Sequence, residues 1–182
     1  MKKGIRTFII LFTMITVLLT TAIPAFAATN TNTAKDKTYK ITLKNGKKKT
    51  VTGHHVAKVE KQIVKELNKY RKQKGARTLK TTKALTKASD IRARESAYKF
   101  SHTRPNGKKC FSVSKKLRGE NLAYGFETAK DVMNAWKNSP SHDDNMRYKK
   151  FKTVAVSVFA EKTTAADGTV DYTYYMTQSF GY

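Results

Sequence analysis

The sequence predicts an α+β domain, with helices gathered early and antiparallel strands late. Three observations carry that expectation. Apolar residues recur at helical spacing over 56–71 and again over 81–100. Two late runs, 153–160 and 170–180, are rich in Val, Tyr, Phe and Thr and flank Asp167-Gly168, the pattern of two strands joined by a turn. Helices and strands segregated in this way argue against a parallel βαβ sheet.

Taken in order, residues 1–27 read as a secretory signal. Lys2, Lys3 and Arg6 precede an apolar run over 8–19, and Ala25-Phe26-Ala27 has the small-x-small form of a cleavage site. The competing reading is a retained anchor, but the run is shorter than the roughly 20 residues a span requires. Residues 28–53 form a linker and a Lys-rich hairpin, and 54–182 the main domain. In the hairpin, Tyr39, Ile41 and Leu43 alternate with Lys40, Thr42 and Lys44 before Asn45-Gly46, which suits a type I′ turn. If Lys44 pairs with Lys47, one face carries Tyr39, Ile41 and Leu43, and the other Lys40, Lys44, Lys47 and Lys49. His54 and His55 then read as a solvated connection.

The first helix, 56–71, puts Val56, Val59, Ile63, Val64, Leu67 and Tyr70 on one face and ends at Gly75. Along its opposite edge run Lys58, Lys61, Lys65, Lys69 and Lys72. By default such a stripe reads as a solvated face; its single sign, where solvated faces usually mix Glu with Lys, is what favours a binding surface. The second helix, 81–100, turns Leu85, Ala88, Ile91 and Tyr98 inward, and Pro105-Asn106-Gly107 marks a turn. A third helix fits 128–137. A fourth opens with Ser141 as N-cap and Asp144 completing a capping-box-like pattern. That places His142 in the first turn, where the helix dipole favours a neutral imidazole. Tyr172, Tyr174 and Phe180 alternate along the last strand as core residues.

The chain of 182 residues holds 37 Lys and Arg against 13 Asp and Glu, a formal charge of +24. In an exported protein that charge fits an anionic cell-envelope polymer or lipid better than nucleic acid. Cys110 is the single cysteine, so no internal disulfide forms and a disulfide-scaffold protein is excluded.

Three segments concentrate polar residues near turns: His102-Thr103-Arg104-Pro105-Asn106-Gly107, Gly119-Glu120-Asn121-Leu122-Ala123, and Trp136-x-x-Ser139-Pro140-Ser141-His142. With Leu67-Asn68-x-Tyr70-Arg71 before them and Tyr175-x-x-Gln178-x-Phe180 after them, the chain resembles the bacterial SCP-like branch of the CAP superfamily over residues 56–182. That superfamily also includes cysteine-rich secretory proteins, antigen 5 and pathogenesis-related 1 proteins.

The resemblance implies an α-β-α sandwich with a central antiparallel sheet, here preceded by the small hairpin, and a cleft lined by two histidines and acidic residues. His102 and His142 match the two histidines and Glu120 the glutamate of the GEN motif. Many members carry a second glutamate three residues after the tryptophan, where this chain has Ser139. His102, Glu120 and His142 would together form a His₂Glu set for one divalent cation such as zinc, or line a cleft for a small ligand. Taken without the resemblance, both histidines read as polar residues near turns, and Asn121 as a bridge between turns. Cys110 reads as a small buried residue; its pairing with His102 as a nucleophile has no counterpart in the family. The expected function is a secreted binding module, extracellular or cell-wall associated. Its alternative is a metal-assisted hydrolase of peptide or wall material using His102, Glu120 and His142.

Overall fold

The computed structural model describes residues 34–182, so the signal reading of residues 1–27 lies outside the described residues. Five antiparallel strands form one sheet in the order β1-β2-β4-β5-β3. They are β1 (Lys37–Thr42), β2 (Lys48–His55), β3 (Gly119–Tyr124), β4 (Thr153–Thr164) and β5 (Val170–Gly181). The helices are α1 (Ala57–Gln73), α2 (Lys83–Tyr98), α3 (Ala129–Lys137) and α4 (Pro140–Arg147), with a short 3₁₀ turn at Cys110–Val113.

The alternation of β4 sorts the helices into layers. Val154, Val156 and Val158 pack with Val59, Ile63 and Leu67 of α1 and with Met133 and Trp136 of α3. Ala155 faces the other way, into a cluster with Leu85 of α2 and Leu117. Phe159 meets Ile41, Val51 and Ala93. The sheet is therefore sandwiched between α2 on one side and α1, α3 and α4 on the other, as the sequence predicts.

Helix α1 buries Val59, Ile63 and Leu67, its apolar stripe as read from the sequence. At its end the Ala76 amide returns to the Arg71 carbonyl at 2.9 Å and the Gly75 amide to Lys72 at 3.1 Å, the paired bonds that close a helix on a left-handed residue. Thr128 caps α3 by accepting from the Asp131 amide.

Four local expectations are corrected. The hairpin pairs Thr42 with Lys48 and Tyr39 with Val51, one residue away from the Lys44–Lys47 register. Only Gly46 has positive φ in the turn, and the Leu43 amide reaches the Lys47 carbonyl at 2.8 Å. The connection is thus a three-residue loop ending in a left-handed glycine, and Lys49 lies directly across from Ile41. Strand β2 also continues through His54 and His55, which pair with Ala160 and Phe159, so they are sheet residues and not a solvated connection. Gly53 permits this close approach, because a Cβ there would collide with the Ala160 carbonyl. In α2, Ile91 is half-buried and Tyr98 is exposed, while Ser89, Arg92, Glu95 and Ser96 are buried. Finally, Ser139 and not Ser141 precedes α4, with Pro140 in its first turn and Asp144 paired with Arg147; proline's fixed φ suits that first position.

Arg71 is fully buried at the end of α1. Its Nε donates to the Arg77 carbonyl at 2.8 Å, and Nη1 donates to the carbonyls of Met146 at 2.6 Å and Tyr148 at 3.1 Å. It therefore ties α1 to the C-terminal end of α4, where carbonyls lack helical partners. Arg71→Ala is expected to lower stability by about 3 kcal/mol, read as a drop in the thermal unfolding midpoint. An unchanged midpoint would show that this clamp carries no weight.

Candidate functional site

Strand β3 carries the GEN segment along one edge of the sheet, paired with β5 on its inner side. Alternation sends Glu120 and Asn121 to opposite faces. Glu120 turns toward α2, where Arg92 Nε donates to its Oε2 at 2.7 Å and Nη2 to its Oε1 at 3.1 Å. Arg92 also donates to Glu95 Oε2 at 2.8 Å and to the Ser101 carbonyl at 2.6 Å. Glu95 is clasped in turn by Arg104, whose Nη2 lies 2.7 Å from its Oε1. The result is an alternating chain, Arg104–Glu95–Arg92–Glu120–His102, with Arg92 and the Glu120 side chain essentially out of water. The sequence reading missed Arg92 and Glu95. Their signal was the spacing of Ser89, Arg92 and Ser96, with Glu95 three residues after Arg92, which puts polar residues on the same face of the helix as Leu85.

His102 sits at the head of the loop closed by Pro105-Asn106-Gly107. The Cys110 amide donates to the His102 carbonyl at 2.9 Å, and His102 Nδ1 lies 2.9 Å from Glu120 Oε1. A ring nitrogen of His102, the Cys110 sulfur and a Glu120 oxygen all fall within 4.8 Å of one another. Hydrogen bonding to Cys110, then to Glu120, outweighs burial and pushes the His102 imidazole up to about 9. Burial alone would raise the Glu120 carboxyl, but hydrogen bonds from His102 and Arg92 hold it below the usual carboxylate range.

His142 lies in the first turn of α4, on the other side of the sheet edge. Its Nδ1 shares a hydrogen bond with Ser139 Oγ at 2.8 Å. Burial lowers its pKa, and the charge on His102 lowers it further, so at neutral pH His102 is an imidazolium and His142 is neutral. Asn121, fully buried, binds the loops together. It donates to the His142 carbonyl and to Gln178 Oε1, both at 3.0 Å, and accepts from Asn145 at 2.9 Å.

Of the three predicted metal ligands, Glu120 meets His102 directly, while His142 is outside the close donor group and Cys110 is inside it. Both Glu120 oxygens are occupied by Arg92 and His102. Glu120 is therefore suited to orienting an imidazole, the place a carboxylate takes behind a metal-bound histidine. His102 Nδ1 is thus engaged by Glu120 and His142 Nδ1 by Ser139. Ser139 thus occupies the position of the family's second glutamate and supports His142 in its place.

The five lysines predicted on α1, Lys58, Lys61, Lys65, Lys69 and Lys72, are all exposed. A groove of about 500 Å³ beside them, between α1 and α3, is lined by Gln62, Lys65, Glu66, Lys130, Asn134 and Lys137 among others.

The raised His102 pKa has a readable consequence. Because the folded value lies above the ordinary 6.5, the His102 contacts contribute stability below that pH and lose it as pH rises through about 9. NMR titration is expected to place the His102 midpoint near 9, and Cys110→Ala to move it down toward 6.5. A midpoint unchanged in that variant would remove Cys110 as the main cause.

Comparison with known proteins agrees with this architecture. The protein "Uncharacterized protein YkwD" of Bacillus subtilis (strain 168) is 30% identical over 109 residues, covering 56% of this chain and 42% of that protein. The match thus spans less than half the length of that relative. An outer surface protein from Borrelia burgdorferi superposes with a TM-score of 0.56 at 20% identity, over 71% of this chain and 99% of that one. An extracellular protein containing a SCP domain from Bacillus anthracis str. Ames gives a TM-score of 0.54 at 19% identity, over 74% of this chain and 46% of that one. These two likenesses establish a shared fold. Residues 64–180, more than half of the chain, match the family described as CAP, the cysteine-rich secretory protein family, and the protein is a member of that family.

Proposed function

We propose that the protein works outside the cell as a binding module of the envelope. Its lysine face holds an anionic polymer or lipid, and the His102–His142 cleft takes a small ligand or a divalent cation. The observation that carries this reading is the state of the lysines. Among the described residues, Lys162 is the one lysine within 4.0 Å of a carboxylate, and the α1 row lies free in solvent. Charges that are neither buried nor paired contribute little to stability, so a row of them is available to an external polyanion. The secretory character of residues 1–27 and the extracellular or outer-surface names of the two structural relatives support the location.

In the cleft, His102 and His142 would hold a cation such as zinc through Nε2, with Glu120 and Ser139 orienting the rings. The cation would supply Lewis acidity there. Binding must displace the His102 proton, so affinity rises with pH. One observation favours the alternative of a hydrolase acting on peptide or wall material. The two imidazoles are pushed in opposite directions, His102 up and His142 down, which is how an acid and a base are told apart. Against it, Glu120 is neutralised by Arg92 and Ser139 replaces the second carboxylate, leaving no free carboxylate base among the motif residues.

Binding to an anionic polymer is expected to weaken at least about tenfold between about 50 and about 200 mM salt. The triple variant Lys58→Glu, Lys65→Glu, Lys72→Glu should abolish it, as measured by co-sedimentation or calorimetry. Retained binding in that variant would sink the lysine-face reading. Zinc titrated by calorimetry should bind more tightly at pH 8 than at pH 6, and the cleft's share should vanish in His102→Ala/His142→Ala. Hydrolytic turnover lost in the same double variant, with polymer binding intact, would move the assignment to the enzyme.

A further inference from the structure

On the opposite edge of α2 from the cleft network, four elements bring a second set of donors together. His55 ends β2, Glu60 lies in the first turn of α1, Asp90 is midway along α2 and Ser157 is in β4. His55 Nδ1 is 2.9 Å from Ser157 Oγ, 3.6 Å from Glu60 Oε1 and 4.0 Å from Asp90 Oδ1. The three donor atoms of His55, Glu60 and Asp90 fall within 4.8 Å of one another.

We infer that this cluster is a binding site for one zinc-class divalent cation, separate from the His102–His142 cleft. The orientation of His55 is the first argument. Its ring packs against Phe159 at 5.5 Å and edge-on to Tyr39 at 6.2 Å. Nε2 is enclosed there without a hydrogen-bond partner. Nδ1 is therefore the ring atom open to polar groups, and it faces three oxygens.

Charge is the second argument. The protein carries +24, yet among the described residues neither Glu60 nor Asp90 has a lysine or arginine within 4.0 Å. Two partly enclosed carboxylates converge on an imidazole with no fixed cation between them. Nδ1 has its hydrogen bond with Ser157 Oγ at 2.9 Å, and at 3.6 and 4.0 Å it stands beyond hydrogen-bond reach of either carboxylate. A metal ion resolves that convergence. Donors at about 2.0–2.2 Å from one ion stand about 3.3 Å apart in a tetrahedron and farther apart at wider angles.

The donor set also selects the ion. One imidazole with two carboxylates and a hydroxyl suits zinc or manganese better than calcium, which takes more oxygens and little nitrogen. Bound there, the ion would pin the end of β2 to α1, α2 and β4, bracing the hairpin that docks through Tyr39, Ile41 and Val51.

The test uses the full chain with Zn²⁺ as probe, in the His102→Ala/His142→Ala background so that the cleft does not contribute. Calorimetry is expected to show one Zn²⁺ per chain, with at least tenfold weaker binding on adding Asp90→Asn or Glu60→Gln. Glu60→Gln keeps an acceptor for the Val158 amide, which donates to Glu60 Oε1 at 3.0 Å, so the fold is retained. Co²⁺ added to the protein with its cleft intact should give visible absorption bands that Asp90→Asn and His102→Ala/His142→Ala each remove in part, which guards against misfolding of the multiple variants. No zinc binding in the cleft-free background would overturn the inference. So would affinity unchanged by both carboxylate variants, or binding of Ca²⁺ in place of Zn²⁺.

Discussion

The buried fork between Arg92 and Glu120 is the constraint on which the candidate cleft depends. It joins the inward face of α2 to β3, and β3 has a sheet neighbour on one side only. Such a pair adds little net stability, since desolvating two charges offsets most of their attraction, but removing one partner leaves a buried charge at a cost of about 3–5 kcal/mol. Its weight is therefore positional. Glu120 cannot rotate without abandoning Arg92, so His102, which leans on the same carboxylate, has a fixed azimuth. Arg92 also holds the Ser101 carbonyl, so one guanidinium orients both the histidine's acceptor and the backbone beside it.

The edge position of β3 lets its residues reach both helical layers. A central strand would separate the α2 side from the α4 side by the full thickness of the sheet. At an edge, one strand can bind the loop carrying His102 on one face and the first turn of α4 on the other. The GEN segment supplies each side with one residue: Glu120 meets His102, and Asn121 holds the carbonyl of His142.

Acids and bases are used differently across the molecule. Glu60, Asp90, Glu95 and Glu120 point inward, toward amides, imidazoles and arginines. The lysines point outward and, Lys162 apart, stand unpaired among the described residues. Arginine serves where a planar fork must match carboxylates or carbonyls, as Arg71, Arg92 and Arg104 do, and lysine where a mobile charge meets solvent. Internal order thus consumes many of the few carboxylates and leaves the surface strongly positive.

How much was legible in advance follows from the range of each interaction. Helices α1 and α3, the β4–β5 pair and the exposed lysine row follow from local periodicity, which any stretch of chain expresses by itself. The motif order further identified the sandwich and singled out His102, Glu120 and His142, of which the first two meet directly. Register and partnership required the tertiary structure. The hairpin slipped by one residue because a left-handed Gly46 closes a three-residue loop, an alternative that Asn45-Gly46 does not distinguish from a two-residue turn. His54 and His55 became sheet residues because Gly53 lets β2 approach Ala160, and α2 turns Arg92 inward in place of Ile91 and Tyr98 because Glu120 lies opposite it. Sequence alone therefore determined which faces are apolar or basic, since side-chain spacing sets that. The fold decided which charges meet, because a charge is neutralised by whatever neighbour the packed layers bring within a few ångströms.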